Sequence, residues 1–254
     1  MLAAGIGNRL GDASEHRPKV LLEFGGQSLL ARHIGELREA GVAGLDIVTG
    51  YRADLIEAEI DALGAAGYAR TIQNPDFTEG SVVSLWRSRD ALAHGGDVLL
   101  MDGDVLYDRR ILTRLVDTGI ANCFLMDRDF EPGDEPVKIC VRDGRLVEFR
   151  KKVTGTFDLW GESVGFFRFS PGVAAQIVAR AGRYVESGRR DEPYEDVLRD
   201  VLLAAPGGEF GYEDVTGLSW IEIDYPEDVE RATREILPRI EGSGQARDRK
   251  SPLS

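Results

Sequence analysis

The first nineteen residues combine a glycine-rich turn with basic side chains at fixed distances. The segment reads Leu2-Ala3-Ala4-Gly5-Ile6-Gly7-Asn8-Arg9-Leu10 and is followed by Pro18-Lys19. Glycine allows a positive φ or a close approach to a ligand, because it has no Cβ. Successive N–H groups in such a turn can form a concavity that binds anions, and Arg9 and Lys19 would add charge-assisted hydrogen bonds. We therefore interpret this segment as a triphosphate cradle at the end of a strand.

Acidic side chains follow two later strands. Asp102-Gly103-Asp104 comes directly after an apolar run, and Asp224 closes Ile221-Glu222-Ile223-Asp224. In open α/β sheets ligands bind beyond the carboxyl ends of the strands, so these carboxylates should face the same cleft as the glycine turn. Hard cations such as Mg²⁺ prefer carboxylate and phosphate oxygens. We interpret Asp108 and Glu222 as structural or surface carboxylates.

The elements that must position these groups alternate between strands and helices, which is typical of a doubly wound α/β sheet. Strands are predicted at 45–49, 71–73, 97–101, 124–126, 137–141, 146–149, 163–169 and 220–224, and helices at 28–40, 54–63, 82–92, 171–186, 194–204 and 226–236. Asp143-Gly144 predicts a type I′ hairpin. The antiparallel middle region should extend the sheet and form the acceptor side of the cleft. We expect one domain over residues 1–240 and a disordered tail over 241–254.

The glycine turn also carries a resemblance. L-A-A-G-x-G-x-R-L followed by P-K resembles the signature of nucleotidyltransferases that join a nucleoside triphosphate to a phosphorylated small molecule, including sugar-1-phosphate nucleotidyltransferases and cytidylyltransferases. The resemblance implies a Rossmann-like, GT-A-like mixed sheet and release of pyrophosphate. It also implies Mg²⁺ held by Asp104 and Asp224, with Asp102 as the alternative member of the first pair.

The resemblance further implies roles for the residues of the turn. Lys19 would stabilise the α-phosphate, and Arg9 with the loop amides would hold the β- and γ-phosphates. The nucleotide would bind along Leu2, Ala3, Ala4, Gly5 and Gly7. The acceptor phosphate is already anionic at neutral pH, so the reaction needs no general base, and we propose no histidine chemistry.

Two central motifs narrow the resemblance. Gln73-Asn74-Pro75-Asp76-Phe77 and the later Gly80-Ser81 and Ser84-Leu85 are similar to the phosphocholine cytidylyltransferase-like branch, which implies CTP. Asn74 or Gln73 would then supply the amide that reads a base edge. Ser81 would either bind the base or cap its helix, and the sequence favours neither.

The sequence motifs for the acceptor side match the family less distinctly than those for the nucleotide. Residues 149–152 and 160–167 occupy the place of the E-K-P and V-x-G-x-F elements of related sugar nucleotidyltransferases, so one of Lys151 and Lys152 would face the acceptor phosphate. The glutamate of E-K-P is replaced here, which favours an acceptor other than a hexose phosphate. Inositol-phosphate cytidylyltransferases also resemble the chain from Lys138 to Phe167.

A cationic head group is one acceptor chemistry that these residues would suit. Glu162, Glu195 and Asp196 are candidates to meet choline or an aminoalkyl group, with help from Trp160 and Tyr194 through cation–π contacts. The helix dipole explains the acidic pair Glu195-Asp196 equally well. Phosphocholine, aminoethylphosphonate, inositol phosphate and sugar phosphates all stay open as acceptors.

Two rival functions also stay open. Asp-x-Asp marks glycosyltransferases that bind a nucleotide sugar through a metal, but those enzymes do not need a triphosphate loop. A catalytically silent nucleotide-binding subunit is the other rival, although it would not need Arg9, Lys19, Asp104 and Asp224 together.

Composition limits the partners. The 254-residue chain is 43% hydrophobic and 30% charged and has a net charge of −13. That charge argues against nucleic acid and anionic membranes as partners. We see no signal peptide or membrane span and expect a cytoplasmic protein in which Cys123 and Cys140 are small core residues; a homodimer is left open.

The family that the chain resembles has apolar residues ahead of the L-A-A-G motif, so the first strand should be shortened here. A start assigned too late explains this better than loss of a central strand.

Overall fold

The computed structural model describes residues 1–14, 16–130, 133 and 135–248. The strands are β1 (Leu2–Ala3), β2 (Glu23–Phe24), β3 (Gln27–Ser28), β4 (Leu45–Thr49), β5 (Ala69–Gln73), β6 (Val98–Met101), β7 (Val105–Tyr107), β8 (Cys123–Asp127), β9 (Lys138–Arg142), β10 (Arg145–Arg150), β11 (Leu159–Phe169), β12 (Gly211–Asp214) and β13 (Trp220–Glu222). The α-helices are α1 (Leu29–Glu39), α2 (Ala53–Ala62), α3 (Ser81–Arg87), α4 (Arg89–Leu92), α5 (Arg109–Asp117), α6 (Pro171–Glu186), α7 (Tyr194–Ala204), α8 (Pro226–Arg231) and α9 (Leu237–Asp248).

The sheet joins a parallel part to a mixed part. β1, β4 and β5 are parallel, and a parallel bridge from Leu2 to Asp102 links β1 to the end of β6. β11 pairs antiparallel with β6, β8 and β9, and β12 lies parallel to β8. The expected doubly wound mixed sheet with an antiparallel extension is therefore confirmed.

Helices cover both faces of this sheet, and the central strands are apolar on both faces for that reason. All five residues of β8 are buried. Phe124 and Met126 pack in a cluster with residues of α3, α6 and α7. Cys123 and Leu125 point to the other face and pack with residues of α1, α2 and α5, as the alternation of a strand requires.

Both cysteines are buried, as expected of small core residues. Burial raises the pKa of the Cys123 thiol to about 12 and that of Cys140 to about 11. Neither thiol is therefore poised to react near neutral pH.

The hairpin and two helices match their sequence signals closely. Asp143 and Gly144 both have a positive φ, as a type I′ turn requires. α6 begins after Ser170, whose hydroxyl accepts from Val173 N, and Pro171 takes the first helical position, where no N–H is needed. α6 and α7 have the bounds that the sequence predicts.

Other elements differ from prediction. The helix predicted over 82–92 is broken into α3 and α4 at Ser88, whose hydroxyl donates to Leu85 O at 2.7 Å and competes with helical pairing. β11 begins at Leu159, earlier than the predicted 163, because its first residues pair with β9. β7, α5 and β12 have no counterpart among the predicted elements.

The C-terminal helix continues further than the sequence indicates. α8 passes through a π-helical turn, Ala232–Ile236, into α9, which extends to Asp248. The backbone is therefore helical over most of the segment for which we expect disorder, while 249–254 lies outside the described residues. None of the described helices has the length and apolar character that a membrane span needs.

Candidate active site

A cleft of about 370 Å³ opens at the carboxyl ends of β1, β6 and β13. The predicted site residues that line it are Leu2, Ala3, Ala4, Gly5, Gly7, Arg9, Lys19, Ser81, Asp102, Asp104, Glu195 and Asp224. A larger cavity of about 650 Å³ lies beside Met1 and the first residues of β4 and β6, at the amino ends of those strands. We place the candidate site in the smaller cleft, because both the glycine turn and the acidic motifs meet there.

Gly7 brings the loop and Lys19 together. Its φ is +71°, and a Cβ at this position would lie 3.1 Å from Lys19 Cγ. A side chain here would therefore suffer both backbone strain and crowding. The glycine leaves a path along which the stem of Lys19 enters the cleft.

The Asp102-Gly103-Asp104 turn is held by the backbone on one side and by a histidine on the other. Gly103 N donates to Leu2 O at 3.0 Å, and Gly103 O accepts from Nε2 of His33 at 3.1 Å. Burial lowers the pKa of His33 to about 4, so its ring is neutral at pH 7. The sequence assigns no role to His33, because only tertiary packing brings α1 to this turn.

Asp224 is placed by main-chain contacts. Ile223 N donates to Asp104 O at 2.9 Å and thereby joins the two acidic segments. The Asp228 carboxylate accepts from Asp224 N at 3.0 Å and from Tyr225 N at 2.7 Å. The beginning of α8 thus fixes the backbone on which the Asp224 carboxylate stands.

Three carboxylates converge in the cleft. Oxygen atoms of Asp104, Glu222 and Asp224 lie within 4.8 Å of one another. This set of hard oxygen donors suits Mg²⁺, so the residues present fit a divalent cation. Desolvation and the negative charges of Asp104 and Asp224 raise the pKa of Glu222 well above its usual range, although the residue keeps contact with solvent.

Glu222 is therefore a member of the cluster that the sequence does not identify. Its position between Ile221 and Ile223 indicates a solvent-facing side chain by the period of two. The solvent at that face of β13 is the water of the cleft. The assignment of Glu222 as a structural or surface carboxylate did not anticipate that this face of β13 lines the cleft.

Lys19 lies between two of these carboxylates. Its Nζ donates to Asp104 Oδ2 at 2.9 Å and to Asp224 Oδ1 at 2.5 Å. Burial alone would lower the pKa of this ammonium, but the two aspartates raise it above its ordinary value. Arg9 is more exposed, lies 3.4 Å from Asp224 Oδ2 and stacks over the Tyr225 ring at 5.4 Å.

The opposite wall carries Asp102 and Glu195. Tyr194 Oη donates to Asp102 Oδ2 at 2.7 Å. Asp102 is not a member of the three-carboxylate cluster. Burial, with the charges of Asp104 and Glu195, raises the pKa of Asp102 well above its usual range. The Glu195 Oε2 atom is buried and has no hydrogen-bond partner among the described residues, and burial raises the pKa of this carboxyl.

Asn74 needs correction as a residue that reads a base. It is fully buried, its Nδ2 donates to Ser84 Oγ at 3.0 Å, and its Oδ1 accepts from Asp76 N. Its amide supports the turn before α3 and is not among the residues that line the cleft. Ser81 does line the cleft, where its hydroxyl accepts from Tyr194 N at 2.9 Å and so caps α7 instead of its own helix.

Three of the predicted acceptor residues, unlike Glu195, do not line this cleft. Lys151 and Lys152 are exposed, and Lys151 pairs with Glu135 at 3.2 Å. Glu162 lies in β11 opposite Asp127 and Lys138. Its burial, together with Asp127, raises the pKa of Glu162 to about 7. None of the three lines the cleft, so their predicted contact with an acceptor is not supported by the geometry.

Comparison with known families shows to which family the chain belongs. Residues 1–148 match the family described as the MobA-like NTP transferase domain. The chain belongs to this family. The resemblance stated from the glycine turn is thereby confirmed, and the matched region contains the turn, Lys19 and the Asp102–Asp104 segment.

Curated relatives extend the comparison. The chain is 27% identical over 94% of its length to the CMP-5'-(3-aminopropyl)phosphonate synthase of Streptomyces rubellomurinus, and covers 38% of that protein. It is 28% identical over 93% of its length to the bifunctional IPC transferase and DIPP synthase of Rubrobacter xylanophilus, and covers 51% of it. The chain thus spans about half the length, or less, of these two curated relatives.

A solved structure supports the fold. The CTP:phosphocholine cytidylyltransferase of Streptococcus pneumoniae superposes with a TM-score of 0.73 at 20% identity, over 91% of this chain and 95% of that one. The fold shared with that structure therefore extends beyond residue 148, where the family match ends.

Proposed function

We propose that this protein is a Mg²⁺-dependent cytidylyltransferase that joins CTP to a small phosphorylated or phosphonate acceptor and releases pyrophosphate. The carrying observation is the convergence of Lys19, Asp104 and Asp224 beside the glycine turn. A site for charged phosphates needs both cations and metal-binding oxygens, and this cleft combines them. The names of the relatives support cytidylyl transfer onto phosphonate or phosphorylated acceptors.

The chemistry follows from charge. An acceptor oxygen attacks the α-phosphorus of CTP, the bond to the β-phosphate oxygen breaks, and pyrophosphate leaves with that electron pair. Both reactants are anionic, so catalysis consists mainly of alignment and charge neutralisation. Lys19 neutralises the α-phosphate, and Arg9 with the loop amides binds the leaving pyrophosphate.

A divalent cation is part of this proposal, because five carboxylates and two cationic side chains line the cleft among the described residues. Asp104 and Asp224 would hold the ion, with Glu222 beside them. When bound, the ion supplies positive charge that offsets the repulsion between the carboxylates and the phosphates. Asp228 and His33 keep the ligand-bearing turns in place.

An amino-bearing acceptor is the preferred class. The Glu195 carboxylate lines the cleft with an oxygen that has no described partner, and Asp102 shares its wall. A buried carboxylate oxygen without a partner is costly, and an ammonium group on the acceptor would satisfy it. The name of the Streptomyces relative, an aminopropylphosphonate synthase, is consistent with this class.

The test is pyrophosphate release from CTP, and from the other nucleoside triphosphates, with a panel of acceptors. The panel contains phosphocholine, aminoethylphosphonate, aminopropylphosphonate, inositol phosphate and a sugar phosphate. We expect release with CTP and an amino-bearing acceptor. Release only with the sugar phosphate would establish the sugar nucleotidyltransferase alternative, and no release with any pair would favour the glycosyltransferase or the silent subunit.

A matched pair of variants tests the acceptor class. Glu195→Gln should raise KM for the amino-bearing acceptor about tenfold or more and leave KM for inositol phosphate unchanged, since a charge-assisted contact is worth about 1.5–3 kcal/mol. Glu192→Gln removes the same charge three residues earlier, where the side chain pairs with Arg189 at the surface. Equal effects of the two variants would overturn the assignment of Glu195.

A further inference from the structure

The Lys19 ammonium occupies the space between the two aspartates that would hold the metal ion. It lies 2.9 Å from Asp104 Oδ2 and 2.5 Å from Asp224 Oδ1. We propose that Lys19 is a removable internal cation, which competes with the divalent ion in the nucleotide-free protein and yields its place when an anionic polyphosphate draws the ammonium away. The inference rests on the proposed function for the identity of that polyphosphate.

Competition follows from the atoms that are shared. Mg²⁺ needs oxygen ligands at about 2.0–2.1 Å in a nearly octahedral arrangement. One carboxylate oxygen of each aspartate, Asp104 Oδ2 and Asp224 Oδ1, already accepts a hydrogen bond from Nζ. An ammonium and a divalent cation on the same oxygens would also repel each other strongly, since the three side chains are only 16–28% exposed and water screens them weakly.

The side chain is suited to move. Lysine carries a compact charge with rotatable donors on a flexible stem. The stem of Lys19 passes Gly7 of the turn that we assign to the phosphates, with Cγ 3.1 Å from where a Cβ would lie. In the proposal, the ammonium exchanges its carboxylate partners for phosphate partners bound at that turn.

The Lys19 ammonium also bears on the repulsion among the three carboxyl groups. Oxygen atoms of the Asp104, Glu222 and Asp224 carboxyl groups lie within 4.8 Å of one another, and negative charge at such distances is mutually repulsive. Lys19 offsets part of that charge in the nucleotide-free protein. Metal and nucleotide should then bind cooperatively, and by linkage each raises the affinity for the other by the same factor.

The test uses Mn²⁺ alone, titrated into the nucleotide-free full chain, with the free ion followed by electron paramagnetic resonance. Lys19→Met keeps the length of the side chain and removes its charge, so it should bind Mn²⁺ at least tenfold more tightly than the unmodified chain. Lys19→Arg keeps the charge and should remain a weak binder. An affinity for Lys19→Met equal to or below that of the unmodified chain would overturn the proposal.

Two controls locate the effect. Arg234→Gln loses the same charge on an exposed helix, where it pairs with Glu230, and should leave the Mn²⁺ affinity unchanged. Adding Asp104→Asn to Lys19→Met should abolish the gain; a gain that survives would place the ion elsewhere and refute the competition. If Lys19→Met does not fold without metal, its rescue by Mn²⁺ in a thermal melt supports the proposal, and no rescue contradicts it.

This titration contains no nucleotide and needs no turnover. A result against the competition therefore does not change what the pyrophosphate assay says about the proposed function. Conversely, the Mn²⁺ titration tests the competition even if the protein is inactive with every acceptor.

Discussion

The two sides of the molecule around the cleft are built differently. On the side that we propose for the nucleotide, the glycine turn, Lys19, Asp104 and Asp224 converge. Main-chain hydrogen bonds join Gly103 to Leu2 and Ile223 to Asp104, and the Lys19 ammonium donates to both aspartates. On the acceptor side, Lys151 pairs with Glu135, and Glu162 lies among strand neighbours away from the cleft. The first arrangement fixes its groups at the ends of strands, whereas the second leaves the proposed choice of acceptor to a few side chains such as Glu195.

Loss of Asp104 should show this contrast most strongly. Asp104→Ala removes a proposed metal ligand and a partner of Lys19, so we expect turnover to fall by about 10³-fold, while the melting temperature changes by only a few degrees. Pyrophosphate release and thermal unfolding measure the two effects. Asp90→Ala, at an exposed helical site, is the control; comparable losses in both variants would contradict the role of Asp104.

Lys19→Ala should follow closely, with turnover lowered by about 10²–10³-fold, because phosphate charge in the transition state loses a buried cation. The same assays apply. Near-normal turnover would remove Lys19 from the proposed chemistry, whatever the outcome of the metal titration.

Gly165→Ala probes the wall between the two sides. Gly165 has a φ of +78°, and a Cβ there would overlap the Asp102 carboxylate. We expect about 1–3 kcal/mol of destabilisation and roughly a tenfold loss of kcat/KM as Asp102 is displaced. Gly172→Ala, in α6 with open space around it, should be neutral or slightly stabilising. Urea unfolding of both variants checks this, and equal stabilities would count against the crowding argument.

Lys152→Gln should have a small effect. Exposed ionic contacts are worth about 0–1 kcal/mol, so we expect KM for the acceptor to rise less than about fivefold with kcat unchanged. A steady-state titration of the acceptor measures it. A loss comparable to that of Lys19→Ala would mean that the acceptor side is as fixed as the nucleotide side, and the comparison would fail.

Glu162→Gln should change stability only as a function of pH. The pKa of Glu162 is about 7 in the folded protein against a reference value of 4.5, so the folded state binds the proton more tightly. The stabilisation of the folded state by the protonated Glu162 carboxyl is therefore fully present below pH 4.5 and is lost as the pH rises through 7. The variant should therefore be more stable than the unmodified chain by about 1–2 kcal/mol at pH 8 and equal at pH 4.5. Denaturant unfolding at the two pH values tests this sign.

Sequence signals predicted the elements that carry their own local determinants. α6 and α7 have helix-starting signals at Ser170-Pro171 and Pro193, and their bounds were predicted correctly. β12 was missed because its half-buried residues form a strand only through pairing with β8. The difference is between structure that a segment specifies and structure that its neighbour imposes.

The candidate site divides in the same way. Motif spacing identified the loop, Lys19 and the two aspartates, because strand ends meet at one edge of a sheet. Spacing could not reveal Glu222, because its position in the strand pattern indicates only that the side chain faces solvent. It could not reveal His33 either, which reaches Gly103 O from α1. It assigned Asn74 to the base, whereas in the structure this side chain bonds to Ser84 and to the backbone of its own turn. The assigned roles stay predictions until the variants are measured.

The contact between Lys19 and Asp224 joins residues 205 positions apart in the chain. During synthesis, the first half of the site emerges long before the second. A nascent chain that already has its glycine turn and Asp104 still lacks Asp224 and the helix that fixes it. If the proposed function holds, nucleotide binding would therefore require a chain that has been made and folded through the beginning of α8.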